Sequence, residues 1–189
     1  MIKLPADFEL DRYGLHVRFV QECDAEFIIK LRTDPELSKF IHETKNDLDK
    51  QREWIRGYKQ KEKGGTEYYF IFYSMDKPVG LNRIYRIESD GTFTTGSWLF
   101  SKDAPMEASI ASAIIVREIA FETLDLKFEN GFDGCHEDNK KVLRFNRMLG
   151  LKDTGIITDS KGKYCTMTLT KDDFEVGKGK ILKILNYIK

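Results

Sequence analysis

The sequence predicts an α/β fold of the α+β kind, in which a mixed, mostly antiparallel sheet is flanked by helices. Three strand-like runs, residues 67–74, 78–87 and 92–100, follow one another with only short turns between them, which is typical of an antiparallel meander. Helical spacing of apolar residues appears before and after these runs, most clearly over residues 105–124. Because 189 residues can bury a substantial core, we expect residues 1–189 to form a single domain.

The elements predicted before the meander are one strand and two helices. Residues 16–20 alternate between polar and apolar side chains, as a half-buried strand does. Asp24 can cap a helix, and Pro35 opens a further helical turn around residues 37–40. Residues 47–63 predict a longer helix that ends at a pair of glycines. The side chains expected to face inward from this helix are Leu48, Trp54, Ile55 and Tyr58.

The helix over residues 105–124 is apolar on two sides, which is expected when a helix packs under a sheet. A strand over residues 128–133 follows it. Residues 139–149 predict an amphipathic helix whose first N–H groups can be capped by Asp138 or Asn139.

Glycine at position 150 can take the left-handed conformation that ends this helix. Residues 151–158 and 163–170 predict a closing hairpin, and residues 180–188 a last amphipathic helix. The core domain is therefore expected over residues 14–170, with residues 171–189 as a C-terminal extension.

Composition argues against several classes of function. Lys plus Arg and Asp plus Glu both number 31, so the chain lacks the basic excess of a nucleic-acid-binding surface. The apolar runs are too short to span a bilayer, and the N-terminus does not have the organisation of a secretory signal. Three cysteines without close spacing favour reduced thiols in the cytoplasm. Motifs that bind metals are absent from the sequence, so we expect no metal.

The segment from His136 to Leu151 carries the most specific signal. Its pattern of Asn139, a basic residue near the helix end, Gly150 and Leu151 resembles the last helix of the GNAT acyl-CoA N-acyltransferases. The order of the predicted elements over residues 14–170 is also that of the GNAT fold. Pieces of the N-terminal half, including residues 31–35 and 51–55, are similar to the ribosomal-protein N-terminal acetyltransferase branch and its antibiotic- and sugar-modifying relatives.

The resemblance implies that the strands over residues 92–100 and 128–133 splay apart, so that acetyl-CoA can lie between them as the acyl donor. The pantetheine arm would pair with the free backbone edge, and a backbone N–H near Trp98, Leu99 and Phe100 would stabilise the oxyanion. The diphosphate would lie at the start of the following helix. The residues that the resemblance assigns to the cofactor are Trp98, Leu99, Phe100, Met106, Glu107, Ala108, Ser109, Ile110 and Asn139.

The diphosphate loop departs from the family pattern at two positions. Ala104 stands where the family has Gln or Arg, and Glu107 replaces a glycine. A carboxylate close to a diphosphate repels it, by an amount on the order of 1–4 kcal/mol depending on the dielectric. An ordinary helix start, with Pro105 in the first turn and Glu107 favoured by the helix dipole, explains the same residues equally well.

Acyl transfer to an amine needs a base, an oxyanion donor and a proton for the leaving thiolate. His136 titrates in the right range to serve as the base, with Asp133 and Glu137 nearby in the chain, and Ser97 could relay the proton through water. Asn146 stands where many relatives have an acidic tyrosine, and its amide can donate a hydrogen bond to sulfur. A solvated or structural role for His136 remains the alternative.

The acceptor side is predicted to be formed by the second and third strands of the meander and by the first helices. The predicted substrate-binding residues are Arg32, Glu67, Arg83 and Tyr85, with Tyr69 and Arg86 as further members of the same strands. Alternating side chains that simply face solvent are the alternative explanation for each of them.

The predicted function is therefore transfer of an acetyl group from acetyl-CoA to a primary amine, of a small molecule such as an amino sugar or else of a protein N-terminus. A GNAT-fold module that binds a ligand or partner without catalysis is the alternative. A third reading is an interaction protein that forms a homodimer through its last helix. The residues that would form that dimer are Ile181, Ile184, Leu185 and Ile188.

Overall fold

The computed structural model describes residues 2–187 and confirms the predicted fold class, with eight strands in the order β1-β2-β3-β4-β5-β6-β8-β7. The strands are β1 (Glu9–Arg12), β2 (Leu15–Phe19), β3 (Tyr68–Ser74), β4 (Lys77–Tyr85), β5 (Thr92–Phe100), β6 (Phe128–His136), β7 (Lys152–Asp159) and β8 (Gly162–Thr170). The helices are α1 (Ala25–Thr33), α2 (Leu48–Gly64), α3 (Met106–Glu118), α4 (Lys140–Leu149) and α5 (Lys171–Ile184). Neighbouring strands are antiparallel except β5 and β6, which are parallel.

The core lies on both faces of the sheet because β3 is buried on both sides. Tyr68, Phe70 and Phe72 face the layer that contains α3, whereas Tyr69 and Ile71 face the layer formed by α1 and α2. Side chains alternate along a strand, so a continuous apolar run such as this one marks a central strand. The sheet thus separates the two groups of helices.

An N-terminal hairpin was missed by the sequence analysis. β1 pairs with β2 through a two-residue turn in which Tyr13 and Gly14 both have positive φ, 51° and 74°. This is the turn geometry that matches the twist of a hairpin, and glycine at its second position makes it accessible. The pairing extends the sheet by one strand.

The helical turn predicted around residues 37–40 is reduced to one isolated turn, closed by the Ser38 N–H, which donates to the carbonyl of Asp34 at 2.9 Å, and no helix follows it. α1 ends at Thr33, and the Asp34 carboxylate accepts the backbone N–H groups of Glu36 and Leu37 at 2.9 and 3.2 Å. These bonds form a local turn that competes with helix formation. The chain from Asp34 to Asp47 is consequently a loop, and it covers one side of the central sheet.

The long helix after β5 widens at its end. α3 is regular from Met106 to Glu118, and the next turn, Ile119–Thr123, is a π-helix. Single π turns of this kind often occur near functional sites. β6 runs three residues further than predicted, to His136.

The ends of α4 and α5 differ in part from the predictions. Asn139 precedes α4, but its side chain makes no capping hydrogen bond to any described residue, whereas Gly150 ends the helix with φ of 110° as expected. α5 begins at Lys171, nine residues before the predicted start, because the Thr170 hydroxyl accepts the N–H of Asp173 at 3.2 Å. Ile188, predicted as part of this helix, lies outside the described residues.

Candidate active site

β5 and β6 part after two residue pairs, as the sequence analysis expected. Their backbones are in register only at Thr92 with Phe128 and at Phe93 with Glu129, and no further pair forms within the described chain. The Thr94 hydroxyl donates to the carbonyl of Asn130 at 2.7 Å just beyond. Past this point each strand has backbone donors and acceptors on its facing edge that the other does not use.

A β-bulge lies in β5 beside this opening. Leu81 of β4 is opposite Leu99 and Arg83 is opposite Gly96, so Ser97 and Trp98 together oppose a single residue of β4. Ser97 has φ of 52°, which is uncommon for a residue other than glycine. Bulges redirect side chains and are frequent beside active sites.

A pocket of about 940 Å³ reaches this bulge from the face covered by α1 and α2. It is enclosed by the loop between those helices, by β3, β4 and β5, and by the tip of the β7–β8 hairpin. The structure brings together in it five residues predicted from separate parts of the sequence. These are Arg32, Arg83, Tyr85, Ser97 and His136.

Glu67, also predicted to bind substrate, lies behind the pocket wall instead. Its carboxylate is buried and accepts from Arg83 Nη1 at 3.1 Å and from Lys61 Nζ at 3.2 Å. The Arg83 guanidinium also lies over the Tyr85 ring, 4.4 Å from its centroid. Glu67 therefore positions Arg83, and Arg83 is the group that lines the pocket.

Tyr85 and Asp133 form a polar pair in the wall. The Tyr85 hydroxyl donates to Asp133 Oδ2 at 3.1 Å, and Arg86 contacts Asp133 Oδ1 at 3.1 Å. Burial, together with the Asp133 carboxylate, raises the pKa of Tyr85 to about 12, so the phenol keeps its proton and remains a donor. Asp133 itself is half-exposed and lines the pocket.

His136 has both ring nitrogens engaged. Nδ1 accepts the backbone N–H of Asp138 at 3.1 Å, which places the ring proton on Nε2, 3.3 Å from the carbonyl of Lys161. The ring also lies between those of Phe40 and Tyr164. This geometry leaves no free lone pair and argues against the prediction that His136 is the base.

Tyr69 has a hydroxyl at the pocket that finds no partner. The residue is 2% exposed, and its oxygen makes no hydrogen bond within residues 2–187. Burial raises the pKa of Tyr69, whereas the charges of Arg32 and Arg83, and the polar groups of Arg32 and Ser97 beside the hydroxyl, lower it. An unsatisfied buried hydroxyl costs about 1–3 kcal/mol, so this position has a polar group in need of a partner.

Trp54 was misassigned by the sequence analysis, which placed it in the core. Its side chain is 41% exposed, lines the pocket and stacks on Tyr58 with ring centroids 5.7 Å apart. Helical spacing places Trp54 on the face of α2 that packs on Tyr58 and Tyr69, but it cannot show that this face borders an open pocket. The exposed indole is a flat apolar surface at the mouth of the pocket.

Of the β5 residues predicted to hold the cofactor, Trp98 and Phe100 lie on the face opposite the pocket, whereas Leu99 packs in the layer of α1 and α2. The Trp98 indole N–H is shared between the carbonyl of Ser109 and the hydroxyl of Ser112, at 3.0 and 3.1 Å, and its ring lies 5.1 Å from that of Phe145. Leu99 is buried, and Phe100 packs on Phe72. Trp98 therefore links β5 to α3 and to the helix that follows β6.

The start of α3 presents the predicted diphosphate loop. Met106 and Glu107 are exposed, Ala108 is buried, and Ser109 and Ile110 are half-buried. Since Glu107 is exposed, solvent screens its charge and the carboxylate can turn away from an anion. The loop is thus compatible with a diphosphate, although it lacks the glycine of the family pattern.

Asn139, which precedes α4, and Asn146, within it, have different surroundings. Asn139 stands at the N-terminus of the helix, next to the end of β6. The side-chain amide nitrogen of Asn146 lies 3.9 Å from the sulfur of Met167, a weak contact, and the backbone carbonyl of Asn146 accepts the N–H of Leu151. Asn146 is not among the residues that line the pocket.

The donors present fit the acyl-CoA that the resemblance implies. The edges of β5 and β6 beyond Asn130 supply backbone groups, and the start of α3 supplies N–H groups with a favourable dipole. Among residues 2–187 there is no cluster of three His, Cys, Asp or Glu side chains that could hold a metal ion. Within the same range, every helix is too short or too polar to cross a membrane.

Comparisons with known proteins agree on one family. The model described as the acetyltransferase (GNAT) domain matches residues 15–152. The solved structure of apo FdhC, described as a nucleotide-linked sugar GNAT, is 30% identical, with a TM-score of 0.79 over 93% of this chain and 97% of that one. No protein with a curated description matches the sequence significantly.

Two further structures are similar in fold alone. The ribosomal-protein-S5-alanine acetyltransferase of Vibrio fischeri is 14% identical, with a TM-score of 0.75 over 89% of this chain and 99% of that one. The spermidine N-acetyltransferase of Vibrio cholerae, in complex with CoA and spermine, is 13% identical, with a TM-score of 0.73 over 87% and 99%. Their substrates differ, which fits the general rule that fold does not determine substrate.

Proposed function

Because the chain belongs to the acetyltransferase (GNAT) family, we propose that it transfers an acetyl group from acetyl-CoA to a primary amine of a small molecule, such as an amino sugar. The family resemblance predicted from the sequence is confirmed by the matching family model. Structural neighbours include both ribosomal-protein acetyltransferases and a sugar GNAT.

One observation carries the proposal: the large pocket meets the parted strands at the Ser97 bulge. An acyl donor between β5 and β6 and an acceptor in the pocket would come together there, one from each side of the strand. Holding two reactants at a fixed separation supplies a large part of the acceleration in a transfer reaction. The cofactor supplies an activated acyl group, and the protein supplies its position.

The proton of the acceptor ammonium needs a base in the pocket, and we propose Asp133 in that role. Its carboxylate is half-exposed, lines the pocket and is oriented by Tyr85 and Arg86. Ser97 lines the same pocket and can hold a water that relays the proton. His136 would then shape the wall, since its nitrogens are bonded elsewhere.

The shape of the pocket favours a small molecule over a protein chain. A volume of about 940 Å³ is at the upper end of the range for small-molecule sites. The exposed Trp54 ring can stack on a sugar or a nucleobase. The similar protein described as a nucleotide-linked sugar GNAT supports an amino sugar, and a nucleotide-linked one in particular.

All three cysteines are free thiols, which supports a reducing, cytoplasmic setting. The last helix contributes to the proposal less than the sequence suggested. Of the predicted dimer residues, Ile181 is buried and Leu185 packs against the core, whereas Ile184 is 68% exposed and could contact a second copy. A dimer through α5 is therefore compatible with this fold but is not required by the site.

Incubation of the purified protein with acetyl-CoA and a panel of amines tests the proposal. The panel should contain amino sugars, nucleotide-linked amino sugars, spermidine and a peptide with N-terminal alanine, with products identified by mass spectrometry. We expect N-acetylated amino sugars at the highest kcat/KM. Binding of acetyl-CoA without product from any amine would favour a non-catalytic binding module.

A further inference from the structure

The strongest unexplained feature outside the catalytic proposal is a pair of buried donors without a partner in the wall of the pocket. The Tyr69 hydroxyl and the Arg83 Nε are both buried, and neither has a hydrogen-bond partner in the described part of the chain. Both residues line the pocket, on neighbouring strands, in register at Tyr69 with Arg83. Two buried donors without a protein partner on adjacent strands need an oxygen acceptor, which a ligand in the pocket can supply.

Arg32 adds a positive charge to the same group. Its Nε donates to the Thr44 hydroxyl at 2.7 Å and its Nη2 to the carbonyl of His42 at 3.3 Å. Both partners are neutral, and no salt bridge to Arg32 is found among residues 2–187. Arg32 and Tyr69 line the same pocket, and the positive charge of Arg32 lowers the pKa that burial of the Tyr69 hydroxyl raises.

The charge balance of this wall is positive. The Glu67 carboxylate forms ion pairs with both Arg83 and Lys61, so one negative charge faces two positive ones. Arg32 has no ion-pair partner among residues 2–187. A neutral ligand hydroxyl would satisfy the orphaned donors but would leave this charge uncompensated. An anionic oxygen accepts from the unpaired donors and also compensates the positive charge. A pair of guanidinium groups is well suited to bind a carboxylate or phosphate.

The carboxylates that line the same pocket do not cancel this charge. Asp133 and Asp47 each hold a basic neighbour at 3.0–3.1 Å, and Asp159 accepts two backbone N–H groups of its own turn. Glu43 and Asp138 are exposed, so solvent screens them.

We propose that Arg32, Tyr69 and Arg83 form a subsite that binds an anionic group, a carboxylate or a phosphate, of the acceptor. This inference rests on the proposed function, because it assumes that the pocket holds the acceptor amine. It narrows the acceptor to amines that also carry a negative charge. A polyamine, which is wholly cationic, would be repelled by this wall.

The test compares three related amines as acceptors with acetyl-CoA: glucosamine, glucosamine 6-phosphate and glucosaminic acid. The last two carry a phosphate and a carboxylate, so they distinguish the two sources of charge. We expect kcat/KM for at least one of them to exceed that for glucosamine by about tenfold or more. Arg32→Gln and Tyr69→Phe should each reduce this preference, with KM rising more than kcat falls.

The matched control is Arg52→Gln, which removes the same charge from a half-exposed side chain of α2 outside the pocket. It should leave the preference unchanged. Equal use of the three amines, or an equal loss of preference in Arg52→Gln, overturns the subsite. Thermal unfolding of each variant shows whether the fold is retained, and Tyr69→Phe keeps the buried ring in place.

A calorimetric titration separates this inference from the proposed function. If no amine is acetylated, binding of glucosamine 6-phosphate or glucosaminic acid that is weakened by Arg32→Gln but not by Arg52→Gln still supports the subsite. That result would reject the proposed acetyl transfer but support the anion-binding subsite. Failure of both compounds to bind more tightly than glucosamine rejects the anion site, whatever the outcome for catalysis.

Discussion

Arg117 and Glu129 form a buried ion pair at the point where the sheet opens. Arg117 Nε lies 2.7 Å from Oε2 of Glu129 and Nη2 lies 2.8 Å from Oε1, and both side chains are almost fully buried. Glu129 belongs to the last backbone pair between β5 and β6, and Arg117 also donates to the Thr95 hydroxyl. The pair thus ties α3 to both strands just before they part.

Removal of one partner should strongly destabilise the fold. We expect Glu129→Gln to lower the free energy of unfolding by about 3 kcal/mol or more, because it leaves the Arg117 charge buried and unpaired. Denaturant unfolding measures this loss. The exposed pair of Arg147 and Asp153 provides the control, since Asp153→Asn should cost less than about 1 kcal/mol. Similar losses at both sites would contradict the structural role given to Glu129.

Gly177 and Gly179 of α5 should respond oppositely to alanine. A Cβ on Gly177 would lie 2.1 Å from the carbonyl oxygen of Leu149, whereas a Cβ on Gly179 would meet nothing within 4 Å. We expect Gly177→Ala to destabilise by about 1–3 kcal/mol, through forced separation of α4 and α5. Gly179→Ala should stabilise by about 0.5–1 kcal/mol, since alanine favours a helix. Thermal unfolding of the two variants is the measurement, and a loss of stability at both positions would argue against the close helix contact.

The parts of the fold that could be predicted from the sequence are those that depend on local patterns. The meander, the end of α2 at its glycine pair and the left-handed Gly150 depend on local patterns, and the structure confirms them. The start of α5 was missed because Gly177 and Gly179 weaken a helical pattern that only the packing against Leu149 explains.

Those residues of the candidate site that follow a local sequence pattern could likewise be predicted, and the others could not. Arg83 and Tyr85 could be found because they alternate along one strand, and Arg32 because it lies on an early helix. The bulge at Ser97 depends on strand register, and the exposure of Trp54 depends on the pocket beside it, so no local pattern specifies either feature. The pairing of Arg117 with Glu129 likewise joins a helix to a strand through the fold.

Glu107 is predicted to weaken the binding of CoA. We expect Glu107→Gln to tighten it by about two- to fivefold at low salt, because an exposed carboxylate near a diphosphate repels it through a solvent of high dielectric. The gain should shrink as the salt concentration rises. Calorimetric titration with CoA tests this, with Glu53→Gln on the exposed face of α2 as the control for net charge. An unchanged affinity at every salt concentration would mean that the loop does not receive the phosphates.

Cys135 should be a poorly reactive thiol despite its position beside His136. Burial, and to a lesser extent the facing Cys165, raises the pKa of Cys135 to about 11. At pH 8 roughly one thousandth of it is therefore thiolate, the form that reacts. Iodoacetamide should label the exposed Cys23 first, and labelling of Cys135 should increase as the pH approaches 11. Peptide mass spectrometry measures both rates, and equal labelling at pH 8 in the folded protein would contradict the burial of Cys135.

Asp133→Asn should lower kcat by about 100-fold at neutral pH if this carboxylate takes the proton of the acceptor. The loss should diminish as the pH rises, because more of the amine is then already deprotonated and needs no base. A purely structural effect would lower the rate at every pH by a similar factor. Tyr85 keeps its proton over this range, since its pKa is about 12, so it does not add a second ionisation. The control is Glu137→Gln, outside the pocket, which should leave kcat unchanged. A pH-dependent loss of kcat in His136→Gln, with no such loss in Asp133→Asn, would indicate that His136 and not Asp133 is the base.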